Sequence, residues 1–194
     1  MAPTHTGIAR DSASPLSTQA AEIGWSADLV TNSGIRFHVR PARPSDEEGL
    51  GAFFRSLPPE DMRHRFLTGL REVGPARLKE MVRNDDPHAI NFLAVDQSSG
   101  AIIASALLAA TKDYSEGEFA LSTHPKWQQK GVSWTLLGHL VRYAEAAGIG
   151  TIKSIETSDD AKALQLEREM GFRTHLCPED ATLMIAEKQL APRR

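Results

Sequence analysis

The sequence has a single cysteine, no long apolar run and almost no excess charge, and each of these shortages excludes a class of protein. Cys177 stands alone among 194 residues, so neither a disulfide framework nor a cysteine-rich zinc site can form. The longest apolar run, residues 101–110, is too short to span a bilayer, and the first residues lack the pattern of a signal peptide. We therefore expect a cytoplasmic protein that is not embedded in a membrane.

The charge balance and the histidines argue against two further classes. A formal net charge of −3 and an isoelectric point near 6.2 provide no general attraction to nucleic acid or to anionic lipid. His64, His88 and His175 are scattered and lack metal-ligand spacing, so we expect no metal site. Apolar residues make up 41% of the chain, which is enough for one domain to form a core.

The chain divides into a leader and one domain. Residues 1–34 are rich in small and polar residues without a period, which predicts a flexible N-terminal leader with a contact near residues 23–25. From Ile35 apolar and polar residues alternate, which is typical of a half-buried strand. We expect residues 35–190 to form the folded domain.

Periodicity, turn residues and prolines predict an α/β (α+β) domain with a mixed sheet and helices on both sides. The first helix begins after a capping box of Ser45 with Glu48 and ends before Pro58. A strand, a loop, a helix and a further strand between residues 118 and 157 predict a parallel crossover. The other predicted strands lie at 90–95, 102–111, 116–123, 152–157 and 183–187, and the other helices at 60–67, 75–83, 131–147 and 160–170.

The loop before helix 131–147 has the properties of an anion site. The helix has a continuous apolar face, so its N-terminus is fixed and presents unpaired amides with a partial positive charge. Gly131 lets a phosphate approach the backbone, and Lys130 adds a positive charge. His139 is predicted to lie on the outer, solvated face. Many helices begin after a glycine, so the loop alone is a weak signal.

Three residues of this loop carry a resemblance to a known family. Gln128, Gly131 and Ser133 take the marked places of the pattern Gln/Arg-x-x-Gly-x-Gly/Ala, which resembles the acyl-CoA signature of the GNAT N-acetyltransferases. Ser133 departs from the pattern. The preceding Thr-His-Pro at 123–125 and the later helix from Asp160 to a Gly-Phe ending also resemble the family, and the resemblance covers about residues 35–190.

The resemblance implies the GNAT fold, a mostly antiparallel sheet whose fourth and fifth strands splay apart, with acetyl-CoA as the co-substrate. The backbone of strand four would bind the pantetheine, and the loop amides would bind the pyrophosphate. Asp160 stands where the family often has an asparagine, and a helix cap is its alternative role. Glu167 takes the place of a tyrosine acid and is interpreted as an exposed helical residue. The implied cofactor contacts are Leu121, Thr123, Gln128, Gln129, Lys130, Gly131, Val132, Ser133, Trp134 and Asp160.

Glu118 is the candidate general base. A lysine amine must lose a proton before it attacks a thioester, because its pKa is about 10.4. The tripeptide from Glu118 to Ala120 and its spacing to Gln128 resemble the Pat-like bacterial protein lysine acetyltransferases, which implies that Glu118 is catalytic. The alternative is a solvated strand glutamate, and His124 is the rival base.

Three functions remain open from the sequence. The first is acetyl transfer from acetyl-CoA to a protein lysine, such as one on an acyl-CoA synthetase, by direct attack with Glu118 as base. The second changes the acceptor to a small amine or amino acid. The third is a non-catalytic acyl-CoA-binding regulatory module, favoured by the departures at Ser133 and Asp160. The acceptor pocket is expected between the first helices and the last strands of a monomer or homodimer.

Overall fold

The structure, a computed structural model, describes residues 24–67, 72–83 and 85–191. The strands are β1 (Ala27–Val30), β2 (Arg36–Pro41), β3 (Ala89–Asp96), β4 (Ile102–Ala110), β5 (Glu116–Thr123), β6 (Thr151–Thr157), β7 (Arg173–Leu176) and β8 (Leu183–Gln189). The helices are α1 (Glu47–Arg55), α2 (Pro59–Phe66), α3 (Pro75–Met81), α4 (Val132–Ala147) and α5 (Ala161–Glu169). The predicted fold class, a mixed sheet flanked by helices, is confirmed.

The strands form one mixed sheet in the order β1-β2-β3-β4-β5-β6-β8-β7. Neighbouring strands are antiparallel except β5 and β6, which are parallel, so the predicted parallel pairing is confirmed. Their ladder holds only three pairs and ends at Glu118 with Lys153. The pairing of β5 with β4 continues to Thr123, so β5 and β6 separate along their second halves, as expected.

The N-terminal boundary was predicted wrongly. Strand β1 lies inside the segment assigned to a flexible leader, and it pairs with β2 from Ala27 opposite Val39 to Val30 opposite Arg36. With four residues, β1 shows too short an alternation of apolar and polar residues to be recognised in the sequence. It is stabilised by pairing with β2, which follows it in the chain. Residues 1–23 of the predicted leader lie outside the described residues.

Two hydrophobic cores cover the two faces of the sheet. One core joins α4 to Phe37, Phe92 and Phe119 of the sheet, and the other joins α1, α2 and α3 to Leu93. Helix α4 buries Val132 and Leu136 completely, as the apolar period predicted. Because α4 is packed along its length, its first turn is held rigidly beside the ends of β5 and β6.

Two local predictions need correction. The chain forms a 3-10 turn at Pro44–Asp46, where the amide of Arg43 donates to Asp46 at 2.7 Å, so the predicted capping box of Ser45 and Glu48 is wrong. Asp46 is the better acceptor because its carboxylate is fixed by two further bonds from Arg40. Strand β7, which pairs only with β8, was not predicted. Within the described ranges, no helix is both long and apolar enough to cross a membrane.

Candidate active site

The separation of β5 from β6 leaves backbone groups of β5 unpaired. The amide of His124 donates to Ile103 in β4 at 2.8 Å, and alternation along the strand then turns the amides and carbonyls of Leu121 and Thr123 toward β6. The carbonyl of Thr123 accepts a bond of 3.2 Å from the Gln128 side chain. The remaining groups form a short open strand edge that an extended ligand with amide groups can satisfy.

The loop before α4 presents a run of unpaired amides beside this edge. Gln129 and Gly131 both have left-handed backbones, with φ of 58° and 82°, and α4 begins without a side-chain cap. In the described part of the chain, nothing accepts a hydrogen bond from the amides of residues 129–134, whereas Thr135 donates to Gly131 in the ordinary helical way. Several amides converging at a helix N-terminus form a binding site for a phosphate or diphosphate.

The hairpin of β1 and β2 supports this loop, and the sequence did not predict this contact. The hydroxyl of Ser33 donates to the carbonyl of Lys130 at 2.7 Å, and the hydroxyls of Ser33 and Thr31 lie 2.9 Å apart. A Cβ on Gly131 would lie 3.0 Å from the Cβ of Thr31. Gly131 is therefore required both by its positive φ and by the close approach of the hairpin.

The side chains of the loop fix its geometry. Gln128 donates to Asp61 of α2 at 2.9 Å as well as to Thr123, so its amide ties the loop to the sheet and to a helix on the other face. Ser133 shares a hydrogen bond of 2.9 Å with Thr123, which gives the hydroxyl at the departing position of the signature a structural partner. Lys130 lies over the ring of Trp127 at 5.5 Å, a cation–π contact beside the amide run.

Asp160 has the capping role that was its alternative assignment. Its carboxylate accepts from the amide of Ala163 at 3.1 Å and caps α5. Its other oxygen lies 3.0 Å from Nδ1 of His64, which joins α5 to α2. Contact with a cofactor stays a prediction for Asp160, as it does for Trp134, whose side chain is exposed.

Glu118 faces a groove on the side of the sheet opposite α4. Phe119, the next residue, packs into the core with α4, so alternation directs Glu118 toward α2 and α3. The groove has a volume of about 860 Å³ and is lined by these helices, β4, β5 and β6, including Arg65, Arg77 and Ile155. The helices expected as walls of the acceptor pocket line this groove, whereas β7 and β8 contribute none of its described lining residues. The carboxylate is exposed at the groove and close to the split of the sheet.

His124, the rival base, is committed to local structure. Its Nδ1 accepts from the amide of Lys126 at 3.2 Å and caps the 3-10 turn Pro125–Trp127. His124 therefore has a structural role in the loop. Among the described residues, no cluster of His, Cys, Asp or Glu is arranged to hold a metal ion.

His139 was wrongly predicted to be solvated. Trp25, which precedes β1, covers the outer face of α4, and its carbonyl lies 3.0 Å from Nε2 of His139. The histidine is 4% exposed, and burial lowers its pKa to about 4. The error has a clear physical cause, because the residue that covers this face lies in the segment assigned to the leader.

Glu167 was also wrongly predicted to be exposed. It is 2% exposed and accepts a short hydrogen bond from Ser154 of β6, while one carboxylate oxygen has no partner among the described residues. Burial raises the pKa of Glu167 to about 7. Burial and, next, the charge of Glu167 also raise the pKa of the neighbouring Glu156. Glu167, buried, and Glu156, half-buried, therefore form an acidic pair in which the charged forms are disfavoured.

Comparison with known proteins agrees with this geometry. A family model described as the GNAT acetyltransferase family matches residues 54–172. The chain is 26% identical over 156 residues to the acetyltransferase PA5475 of Pseudomonas aeruginosa, covering 79% of this chain and 84% of the relative.

Solved structures show the same fold. The GNAT domain of PAT from S. lividans superposes with a TM-score of 0.79 at 22% identity, over 86% of this chain and 98% of that domain. Spermidine N-acetyltransferase from Vibrio cholerae, solved with CoA and spermine, gives a TM-score of 0.67 at 17% identity, over 80% and 96% of the two chains.

Proposed function

The chain belongs to the GNAT acetyltransferase family, and we propose that it transfers the acetyl group of acetyl-CoA to the side-chain amine of a protein lysine. The observation that carries this proposal is the run of unpaired amides at residues 129–134, next to the open edge of β5. A pyrophosphate needs several donors at one point, and a pantetheine needs a strand-like partner. Both needs are met side by side at the start of α4.

The cofactor would lie between the separated strands. Its pyrophosphate would accept hydrogen bonds from the amides of Gln129 to Trp134, and its pantetheine would continue the sheet along Leu121 and Thr123. This order places the thioester at the point where β5 and β6 part, beyond the last ladder pair of Glu118 with Lys153. Lys130 and the partial positive charge of the α4 N-terminus would balance the phosphate charge.

Glu118 would act as the general base, through one water molecule. A protonated lysine cannot attack, and a carboxylate at the groove can accept its proton while the amine reaches the thioester carbonyl. Direct attack forms a tetrahedral intermediate, which collapses to the amide and the CoA thiolate. Unlike His124, Glu118 makes no hydrogen bond that would have to break first, within the described residues.

The groove favours a lysine side chain over a small enclosed acceptor. Its walls are formed by α2, α3 and the sheet, and the exposed carboxylate of Glu118 is reached from solvent. A lysine side chain carried by a protein needs such an open approach. An acyl-CoA synthetase is the acceptor class that the Pat-like resemblance suggests, and the chain would work as a monomer or homodimer.

Mass spectrometry on an acceptor panel tests the proposal. Purified protein and acetyl-CoA are incubated with one acceptor at a time: lysine peptides, spermidine, free amino acids or an acyl-CoA synthetase. CoA release is measured in parallel. We expect Nε-acetyl-lysine on peptide or protein at a rate above that of the small amines. Acetylation of spermidine or free amino acids alone would support a small-molecule enzyme. Tight CoA binding without any product would support a regulatory module.

A further inference from the structure

Two arginines face the groove beside Glu118 and contact the same aromatic ring. The guanidinium carbon of Arg65, from α2, lies 5.1 Å from the ring centre of Phe66, and that of Arg77, from α3, lies 5.0 Å from it. Neither arginine forms an ion pair with any carboxylate in the described parts of the chain. Two like charges are thus held near each other in the acceptor groove without a neutralising partner.

Arg65 is the unusual member of this pair. Its Nε and Nη2 are fully buried, and neither has a hydrogen-bond partner among the described residues. Burial, aided by the charge of Arg77, lowers the pKa of Arg65 to about 10 against the opposing charges of Glu156 and Glu118. Buried guanidinium donors are normally paired, because an unmade bond leaves the full cost of removing the charge from water.

The other cations of the groove are already neutralised. Arg83 pairs with Asp85 at 2.8 Å, and Lys153 pairs with Glu116 at 2.7 Å. An anionic group entering the groove would therefore be directed to Arg65 and Arg77. The groove also contains Glu80, Asp86 and Glu118, which would repel a dianion such as phosphate. A carboxylate carries a single charge and matches the planar fork of a guanidinium.

We infer that the acceptor carries a carboxylate beside its reactive amine, and that Arg65 and Arg77 bind this carboxylate while Glu118 receives the amine. This inference rests on the proposed function and names the acceptor class within it. The groove thus has a negative group, Glu118, for the amine of the substrate and two positive groups, the arginines, for its carboxylate. In a protein, the carboxylate belongs to an Asp or Glu near the target lysine; in a small acceptor, it is the α-carboxylate.

Paired substrates measure the preference directly. One pair consists of lysine peptides that differ only by Glu or Gln at a position up to three residues from the lysine. The second pair, Nα-acetyl-lysine and its carboxamide, differs only in the α-carboxylate and distinguishes the two sources. We expect at least one acidic member to exceed its neutral partner in kcat/KM by about tenfold or more, mainly through KM, as for a charge-assisted hydrogen bond.

Variants identify the residues responsible. Arg65→Gln and Arg77→Gln should bring the acidic-to-neutral ratio of kcat/KM close to one, and Arg77→Gln serves if removal of the half-buried Arg65 prevents folding. Arg173→Gln removes the same charge from β7, outside the groove, and should retain the wild-type ratio. Equal kcat/KM for both members of every pair in the wild type would overturn this inference but not the proposed function. Ratios unchanged in both groove variants would do the same. Absence of turnover with every amine would contradict the proposed function itself.

Discussion

At the scale of single residues, the proposed chemistry depends on Glu118. We predict that Glu118→Gln lowers kcat by about 10²–10⁴-fold at neutral pH, because the amine loses its proton acceptor. The defect should shrink as the pH approaches the lysine pKa of about 10.4, where the free amine becomes abundant without a base. The pH profile of kcat for wild type and variant measures both effects.

The matched control for this experiment is Glu116→Gln, on the same strand and the same face. Its carboxylate pairs with Lys153 at the surface, and such a pair contributes little to stability. The control should keep most of the wild-type kcat, and both variants should bind CoA as the wild type does. Wild-type turnover in Glu118→Gln at pH 7 would remove this carboxylate from the mechanism.

Glu167 gives a second prediction at this scale. Its pKa is raised from 4.5 to about 7, so the folded protein holds a proton that the unfolded chain releases between these pH values. This group therefore destabilises the fold progressively as the pH rises from about 4.5 to above 7. At pH 8 Glu167→Gln should have a free energy of unfolding higher than wild type by on the order of 1–3 kcal/mol, seen as a higher unfolding temperature, and the gain should vanish at pH 4.5.

Thermal unfolding at both pH values, with the exposed Glu169→Gln as control, decides this prediction. The amide of the variant can still accept the hydrogen bond from Ser154, so the neutral group retains its contact. Equal gains at pH 4.5 and pH 8 would show that the ionisation of Glu167 is not the cause.

At the scale of elements, the loop before α4 depends on Gly131. We predict that Gly131→Ala lowers CoA affinity by about tenfold, the loss expected for one charge-assisted hydrogen bond. The added methyl group meets Thr31 at 3.0 Å and opposes the φ of 82°, so the amides shift from their positions. Calorimetric titration with CoA measures the change.

Gly148→Ala is the control at the opposite end of the same helix. Gly148 has a similar φ of 79°, and an added Cβ would meet nothing within 4 Å. Both variants should lose stability, by about 1–2 kcal/mol, but only Gly131→Ala should lose CoA affinity. Equal affinities in the two variants would contradict the assigned position of the diphosphate.

The hairpin of β1 and β2 should affect binding through Ser33. Ser33→Ala removes the bond to the Lys130 carbonyl, and we predict a CoA affinity lower by about 2–10-fold, the range expected for a single hydrogen bond. Ser98→Ala removes an equally short bond of 2.7 Å in the β3–β4 turn and should leave the affinity unchanged. An unchanged affinity in Ser33→Ala would mean that the loop keeps its shape without the hairpin.

Most helices and strands could be predicted from local sequence patterns. The wrong predictions concern residues whose structure depends on contacts with other parts of the chain. Strand β5 and helix α4 have strong periods and clear ends, and the parallel pairing of β5 with β6 follows from the connection. Strand β1 could not be predicted, because it depends on pairing with β2. The burial of His139 depends on Trp25, and that of Glu167 on Ser154, neither of which local period can reveal.

The position of Arg65 shows the same limit within the site. Arg65 lies near the end of a short helix that starts at a proline and is followed by a glycine. From the sequence alone, such a position indicates an exposed side chain. Only the assembled groove brings it beside Arg77 and near Glu118. The sequence therefore gives candidates for the base and the cofactor loop, but not the two arginines proposed to select the acceptor.

At the scale of the whole molecule, two cores cover the two faces of the sheet, and β5 and β6 separate between them. Helix α4 packs on one face and α1, α2 and α3 pack on the other, on either side of the split between β5 and β6. In the proposed function, the cofactor loop lies on one side of this split and the acceptor groove with Glu118 on the other. Acetyl transfer would then require the two substrates to meet through the sheet at this point.

Calorimetric titration of the wild-type protein with CoA and with pantetheine tests this account most directly. The two ligands share the strand-like arm, but only CoA carries the diphosphate that the amides of residues 129–134 would bind. We predict that CoA binds at least about 100-fold more tightly than pantetheine, as the loss of two or more charge-assisted hydrogen bonds requires. Equal affinity for the two ligands, or no binding of CoA, would contradict it.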